Sequence, residues 1–164
     1  MKKNSLLPER KTPAHFPAAE AYNRIVIIFV TVCAHKRRAL FASSEIHQLL
    51  IDSWHEAETW RVGRYIIMPN HIHLFCSPAV PDYPSLKKWV QYWKAMVSRK
   101  WPRPDEHPVW QKSFWDTQFR RGENYSEKWE YICHNPVRAG LCEQPEMWPH
   151  QGELNSLRWY GEPD

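Results

Sequence analysis

The chain has 164 residues, 43% of them hydrophobic and 24% charged, which is the size and composition of one globular domain and excludes general disorder, collagen and coiled coil. Lys and Arg number 22 against 18 Asp and Glu, and this net charge of +4 matters more by its placement than by its size. The longest apolar stretch, Ile25 to Ala34, is far short of the roughly 20 residues a membrane-spanning helix needs, so no membrane partner is expected.

Residues 1–23 hold Pro8, Pro13 and Pro17 among polar residues and read as an N-terminal arm; the charged start has no apolar run behind it, so a cytoplasmic location is expected. Arg24 to Ala34 is nearly continuous in Ile, Val, Phe and Thr, as a strand in the middle of a sheet would be. Ser43 and Ser44 are suited to cap a helix, and Ile46, Leu49, Leu50, Trp54 and Ala57 then line one helical face to about Trp60. Val62 to Met68 and His71 to Cys76 flank Pro69-Asn70 and predict a hairpin, with Gly63 as a bulge site. Leu86, Trp89, Val90, Trp93, Met96 and Val97 make the apolar stripe of a second helix, with Lys87, Gln91, Lys94 and Ser98 on its polar side. After Pro102, Pro104 and Pro108, Val109 to Arg120 predicts a further strand, and Asn124 to about Asn135 a helix stopped by Pro136. Beyond Gly140 the chain is polar, with Trp148, Trp159 and Tyr160 as anchors onto the body.

The order β, α, β-turn-β, α, β, α predicts an α+β fold, a ferredoxin-like or split βαβ antiparallel sheet with helices on one face. Cys33, Cys76, Cys133 and Cys142 form no C-x-x-C pair, which fits reduced thiols and disfavours a structural zinc cluster. Basic residues gather in three places: Lys36-Arg37-Arg38, Arg120-Arg121, and the acid-free window Pro84 to Pro104 with Lys87, Lys88, Lys94, Arg99, Lys100 and Arg103. Such patches suit a polyanion as well as a solvated helix face.

Two constellations carry chemistry. In His71-Ile72-His73 the alternation of a strand sends both imidazoles to one face, where they can converge on one metal ion while Ile72 points into the core. With nine histidines in the chain, an H-x-H by chance is the competing reading. In Tyr131-Ile132-Cys133-His134-Asn135-Pro136, helical geometry of about 100° per residue puts Tyr131 and Asn135 on a shared face. His134 is the fallback ligand should Asn135 leave the helix before Pro136, Tyr125 points elsewhere, and a core role for Tyr131 is the alternative.

The strings Met68-Pro69-Asn70-His71-Ile72-His73-Leu74-Phe75 and Tyr131-Ile132-x-x-Asn135-Pro136-Val137-Arg138-Ala139-Gly140-Leu141 resemble the REP-associated tyrosine transposases, relatives of the single-tyrosine HUH transposases of small insertion sequences. Phe29-Val30-Thr31-Val32, Arg37-Arg38-Ala39-Leu40-Phe41 and Trp110-Gln111-x-x-Phe114-Trp115-Asp116 support the likeness, which spans residues 24–142 as a catalytic domain and leaves 143–164 as a C-terminal tail. Cys133, His134 and the His150-Gln151-Gly152-Glu153 segment depart from the family's usual pattern.

The resemblance implies that Tyr131 is the nucleophile, that His71 and His73 bind a divalent ion, and that Asn135 stands at the third ligand position. Since a phenol of pKa about 10 attacks poorly at neutral pH, a hard ion such as Mg²⁺ or Mn²⁺ is expected to polarise the phosphate. The implied activity is a metal-dependent single-stranded DNA endonuclease and strand transferase that passes through a 5′-phosphotyrosine. Its implied substrate is single-stranded DNA folding into REP-like hairpins. Lys36, Arg37, Arg38, Lys87, Lys88, Lys94, Arg99, Lys100, Arg120, Arg121 and Arg138 are the candidates for holding its phosphates. A monomer and a homodimer both fit. The alternatives are a non-catalytic nucleic-acid-binding module on the same fold and a phosphodiesterase that uses water.

Overall fold

The computed structural model describes residues 26–119 and 125–157. The expected arm at 1–23, the pair Arg120-Arg121 and the anchors Trp159 and Tyr160 lie outside the described residues. Strand β1 is Ile28–Ala34, helix α1 Ser44–Glu56, strands β2 and β3 Trp60–Ile67 and His71–Pro78, and helix α2 Leu86–Arg99. Strand β4 is Trp110–Gln118, helices α3 and α4 are Tyr125–Cys133 and Asn135–Arg138, and β5 is Gln151–Glu153. The strands lie side by side in the order β4-β1-β3-β2-β5, every neighbouring pair antiparallel. Because β3 sits between β1 and β2, those two run parallel with α1 as their crossover, which is the split βαβ arrangement the element order predicts.

Alternation divides the sheet into two faces. Ile28, Val30 and Val32 of β1 and Ile72, Leu74 and Cys76 of β3 meet Ile46, Leu50 and Trp54 of α1 and Trp89, Val90, Trp93 and Val97 of α2 in the main core. The cap expected from the sequence forms at Ser43, whose Oγ accepts from the Ile46 N–H at 3.2 Å; the structure adds a second at Ser85, whose Oγ accepts from the Lys88 N–H at 3.3 Å.

The expectation of helices on one face holds for α1 and α2 but not for α3. Its Tyr125 and Trp129 pack with Ile27 and Phe75, and its Ile132 with Ile66 and Met68, on the opposite side of the sheet. That third helix covers part of the face that carries His71 and His73, and so determines where the site lies.

Other boundaries differ for local reasons. Helix α1 stops at Glu56, where the Ala57 N–H closes on the Ser53 carbonyl, and Trp60 opens β2 with its indole donating to the Pro84 carbonyl. Pro136 does not simply end a helix: α3 stops at Cys133 and Pro136 stands in the first turn of α4, where its missing N–H costs nothing. The polar tail hides β5, which pairs with Arg64–Ile66 of β2, while Trp148 is buried and donates to the Ile67 carbonyl as an anchor should. Gly63 does lie in a bulge: Val62 pairs with Cys76 and Tyr65 with Leu74, so three steps of β2 span two of β3. Among the described residues no helix is long and apolar enough to cross a membrane.

Candidate functional site on the outer face of the sheet

The site starts from a turn that is held on several sides. In Pro69-Asn70 the Asn70 carbonyl accepts from the Ala34 N–H at 2.9 Å and the Pro69 carbonyl from the Phe41 N–H at 3.0 Å, while the Met68 N–H closes onto the His71 carbonyl at 2.8 Å. Strand β3 leaves this turn at His71, with Cys33 opposite His71, Thr31 opposite His73 and Phe29 opposite Phe75 on β1. Both imidazoles therefore emerge on the face away from α1 and α2, their ring centroids 4.7 Å apart.

Each ring is oriented by a partner on its inner nitrogen. His71 Nδ1 is 2.7 Å from the Asn70 amide oxygen, which only accepts, so Nδ1 carries the proton and Nε2 keeps a lone pair. His73 Nδ1 is 2.8 Å from the Thr31 hydroxyl, and with that hydroxyl as acceptor its Nε2 is bare as well. Burial is the main reason that both rings resist protonation. It pushes His71 down to about 4, with help from the Arg37 charge, and His73 to about 3, with help from His71, Lys128 and Arg37. Two neutral imidazoles, each with its second nitrogen tied, are the form in which histidine ligates a cation. Among the described residues no three His, Cys, Asp or Glu side chains gather.

Helix α3 presents Tyr131 to solvent with 62% of its surface exposed, which rules out the core role considered from the sequence. The Arg138 guanidinium lies over its ring at 4.2 Å and donates to the Tyr131 carbonyl and to the Asn135 amide oxygen. Tyr131 and Asn135 thus stay neighbours although the helix breaks at His134, whose Nδ1 turns back 2.7 Å from the Glu130 carbonyl. Among the described residues neither a hydrogen bond nor a ring contact joins the phenol to either imidazole. What lies between them is Lys128, its ammonium 5.0 Å from the Phe29 ring centre and 6.0 Å from that of Tyr131, with Phe29 stacked on His73 at 5.2 Å. Tyr125 is a structural tyrosine: its hydroxyl takes the Arg64 N–H at 3.3 Å, and burial pushes it up to about 12.

The expected phosphate-binding residues fall into different places. Lys36 and Arg37 are exposed and adopt consecutive left-handed conformations, φ 53° and 57°, a costly backbone for residues with a Cβ, and Arg37 acts on both histidines through its charge. Arg38 is a clamp, donating to the carbonyls of His35, Glu106 and Pro108. Lys87, Lys88 and Arg99 are exposed on α2, and Lys100 pairs with Glu56 at 3.5 Å, all on the layer behind the sheet from the histidines.

Lys94 is a correction. It is not on a solvated face but 7% exposed, donating to the Gln111 carbonyl at 2.8 Å and lying over the Trp110 ring, with burial holding it down to about 8. The physical reason is the register shift beside it. Four steps of β4, Trp110 to Phe114, span two of β1, Val32 to Ala34, and Lys94 supplies a donor to a carbonyl in that irregular stretch.

Lys128, Phe29, Thr31 and Asn70 are the residues that sequence reasoning did not assign to the site. Thr31 and Phe29 needed the β1–β3 register, and Asn70 only its position before His71. Lys128 had one signal, a spacing of three from Tyr131 on a helix.

No family model matches the chain. It is 27% identical over 117 residues to a protein of Haemophilus influenzae assigned to the REP-associated tyrosine transposases, a match covering 60% of this chain and 65% of that one. The match to the REP-associated tyrosine transposase of Escherichia coli K12 is 23% identical over 123 residues, 74% of this chain and 72% of the relative. The chain thus spans just under two thirds of the length of the Haemophilus relative. Among solved structures, a REP-associated tyrosine transposase bound to a REP hairpin superposes with a TM-score of 0.67 at 19% identity, covering 84% of this chain and 78% of the other, which establishes the shared fold.

Proposed function

Taking the chain as a relative of the REP-associated tyrosine transposases, we propose that it is a DNA transposase that cuts and rejoins single strands beside hairpins, with Tyr131 as nucleophile and His71, His73 and Asn135 as holders of a divalent cation. The observation that carries this reading is the pairing of two neutral imidazoles, each fixed at Nδ1, with an exposed phenol on the helix that packs over the same sheet face.

The donor set fits a cation. With Thr31 as the acceptor both histidines keep an Nε2 lone pair for the ion, and the Asn135 amide oxygen, a hard donor of the kind Mg²⁺ or Mn²⁺ accepts, would exchange its Arg138 contact for it. When bound, the ion would supply Lewis-acid polarisation of the scissile phosphate. Asn70 and Thr31 hold the rings in place for it. Arg138 holds the Asn135 amide and the Tyr131 ring in one unit.

In the reaction, the Tyr131 oxygen bonds to phosphorus as the bond from phosphorus to the 3′ oxygen breaks. The phenolic proton is lost to solvent and a proton is taken up by the departing 3′ oxygen, which becomes a hydroxyl, leaving a 5′-phosphotyrosine. A 3′ hydroxyl attacking that link regenerates the phenol and joins a new strand, with no change in the number of phosphodiester bonds. Arg37, exposed beside the histidines, is placed to meet a phosphate, and Trp115, 40% exposed and opposite Thr31 on the same face, offers a ring for an unstacked base. The α2 lysines, on the other layer, would meet only DNA that wraps around the edge of the sheet. Hairpin DNA is the substrate to test first, because the structure with the same fold was solved with a REP hairpin.

The test is incubation with end-labelled hairpin DNA with single-stranded flanks and Mg²⁺ or Mn²⁺, followed by denaturing electrophoresis. A denaturation-resistant adduct that Tyr131→Phe abolishes is the expected result. Cleavage without adduct would show attack by water, and binding without cleavage would show a non-catalytic module.

A further inference from the structure

We propose that Lys128 is a phosphate-binding residue of this site, gripping the single strand where its backbone passes from the histidine pair to the phenol. The inference deepens the reading above and rests on it for the identity of the ligand as DNA.

The geometry carries the argument. Lys128 sits one helical turn before Tyr131, and its ammonium is 5.0 Å from the centre of the Phe29 ring, which itself stacks on His73, and 6.0 Å from the centre of the Tyr131 ring. Ring faces hold a cation in place, but they do not take up its three N–H donors as oxygen acceptors would. Among the described residues, no carboxylate pairs with Lys128 and no hydrogen bond uses it. Nearby cations are committed: Arg64 pairs with Glu153 at 2.9 Å, and Arg138 donates to two oxygens of its own segment.

A half-buried ammonium whose donors meet no acceptor among the described residues is suited to take an anion. The anion that can lie across both an imidazole pair and a phenol is a backbone phosphate. The opposite end of the histidine pair has a matching cation, Arg37, and the charges of both reach His73, helping to keep its ring neutral. The two cations thus bracket the histidines from different elements, one after β1 and one on α3. A strand following that line would place successive phosphates on Arg37 and Lys128, with the scissile group between them and within reach of Tyr131.

The test measures binding apart from chemistry. Affinity for two fluorescent oligonucleotides, a hairpin with single-stranded flanks and the same hairpin blunt-ended, is titrated against salt without divalent ion for wild type, Lys128→Met and Lys128→Arg. Methionine keeps the apolar stem over Phe29. The expected result is a salt slope lower by about 0.7 for Lys128→Met on the flanked hairpin alone, with Lys128→Arg restoring it. An unchanged slope, or an equal loss on both hairpins, overturns the proposal. Failure of the wild type to form an adduct would overturn the nuclease reading while leaving this slope as an independent measure.

Discussion

Thr31 and His73 face each other across the β1–β3 pair, and the hydroxyl of one lies 2.8 Å from Nδ1 of the other. This contact fixes the ring that lies deepest in the site. Thr31→Val keeps the shape and the strand preference but removes the partner. The expected outcome is a 10- to 100-fold loss in adduct formation, of the order seen when an outer partner of a ligating histidine is removed. Raising the Mn²⁺ concentration should recover part of that loss, while melting shows a cost of about 1 kcal/mol.

The two tyrosines of α3 should separate chemistry from stability. Tyr125→Phe removes the oxygen that takes the Arg64 N–H and should cost about 1–2 kcal/mol in denaturant unfolding. Adduct yield per folded molecule should be unchanged. A Tyr125→Phe protein that is stable but forms no adduct would contradict the assignment of the two roles.

Lys94→Met should act on the fold and not on the DNA. It leaves the Gln111 carbonyl without its donor, for about 1–3 kcal/mol. The salt slope for hairpin binding should match that of the wild type, because the ammonium never faces solvent. A slope reduced with no change in melting temperature would return Lys94 to the list of phosphate contacts.

Acid should weaken the clasp between α1 and the tail. His47 Nδ1 lies 3.4 Å from His150 Nδ1, and His47 Nε2 is 2.7 Å from the Tyr65 hydroxyl. Burial lowers both histidines, His47 also through the His150 charge, so the unfolded chain binds protons more readily than the native one. Stability therefore rises with pH through the region of the ordinary histidine value, near 6.5, and is lost below it. His71 and His73 act in the same direction. The melting temperature should fall between pH 7.5 and 5, and the double variant His47→Gln, His150→Gln should fall less.

At Gly63 a Cβ would stand 2.6 Å from Leu157 Cδ1 and 3.1 Å from the Tyr125 hydroxyl. Gly63→Ala should cost about 1–3 kcal/mol by overpacking. In a double-mutant cycle Leu157→Ala should relieve part of that cost. Strict additivity would mean that the two do not meet.

The order of the first six elements was legible because two periods, two and 3.6, alternate cleanly from Ile28 to Gln118. The common direction of His71 and His73 was legible for the same reason. What could not be read depends on register or on the third dimension. Thr31 meets His73 only once β1 and β3 are aligned, and Lys94 is drawn inward by a carbonyl in a register irregularity that no spacing reveals. Strand β5 has three residues, too few and too polar for alternation to register. Lys128 sits among polar residues on a helical wheel and matters only because α3 lies across the histidine face, a placement set by Ile132 against Ile66 and Met68.

The pairing of Gln151–Glu153 with Arg64–Ile66 has a practical meaning for anyone trimming the molecule. A version cut after Gly140 would keep Tyr131, His71, His73 and Asn135 yet strip the cover from one rim of the sheet, baring the amides of β2 and the apolar side of Ile66. Such a shortened protein would be prone to stick to its own copies through that rim, and its aggregation would be easy to mistake for lost activity.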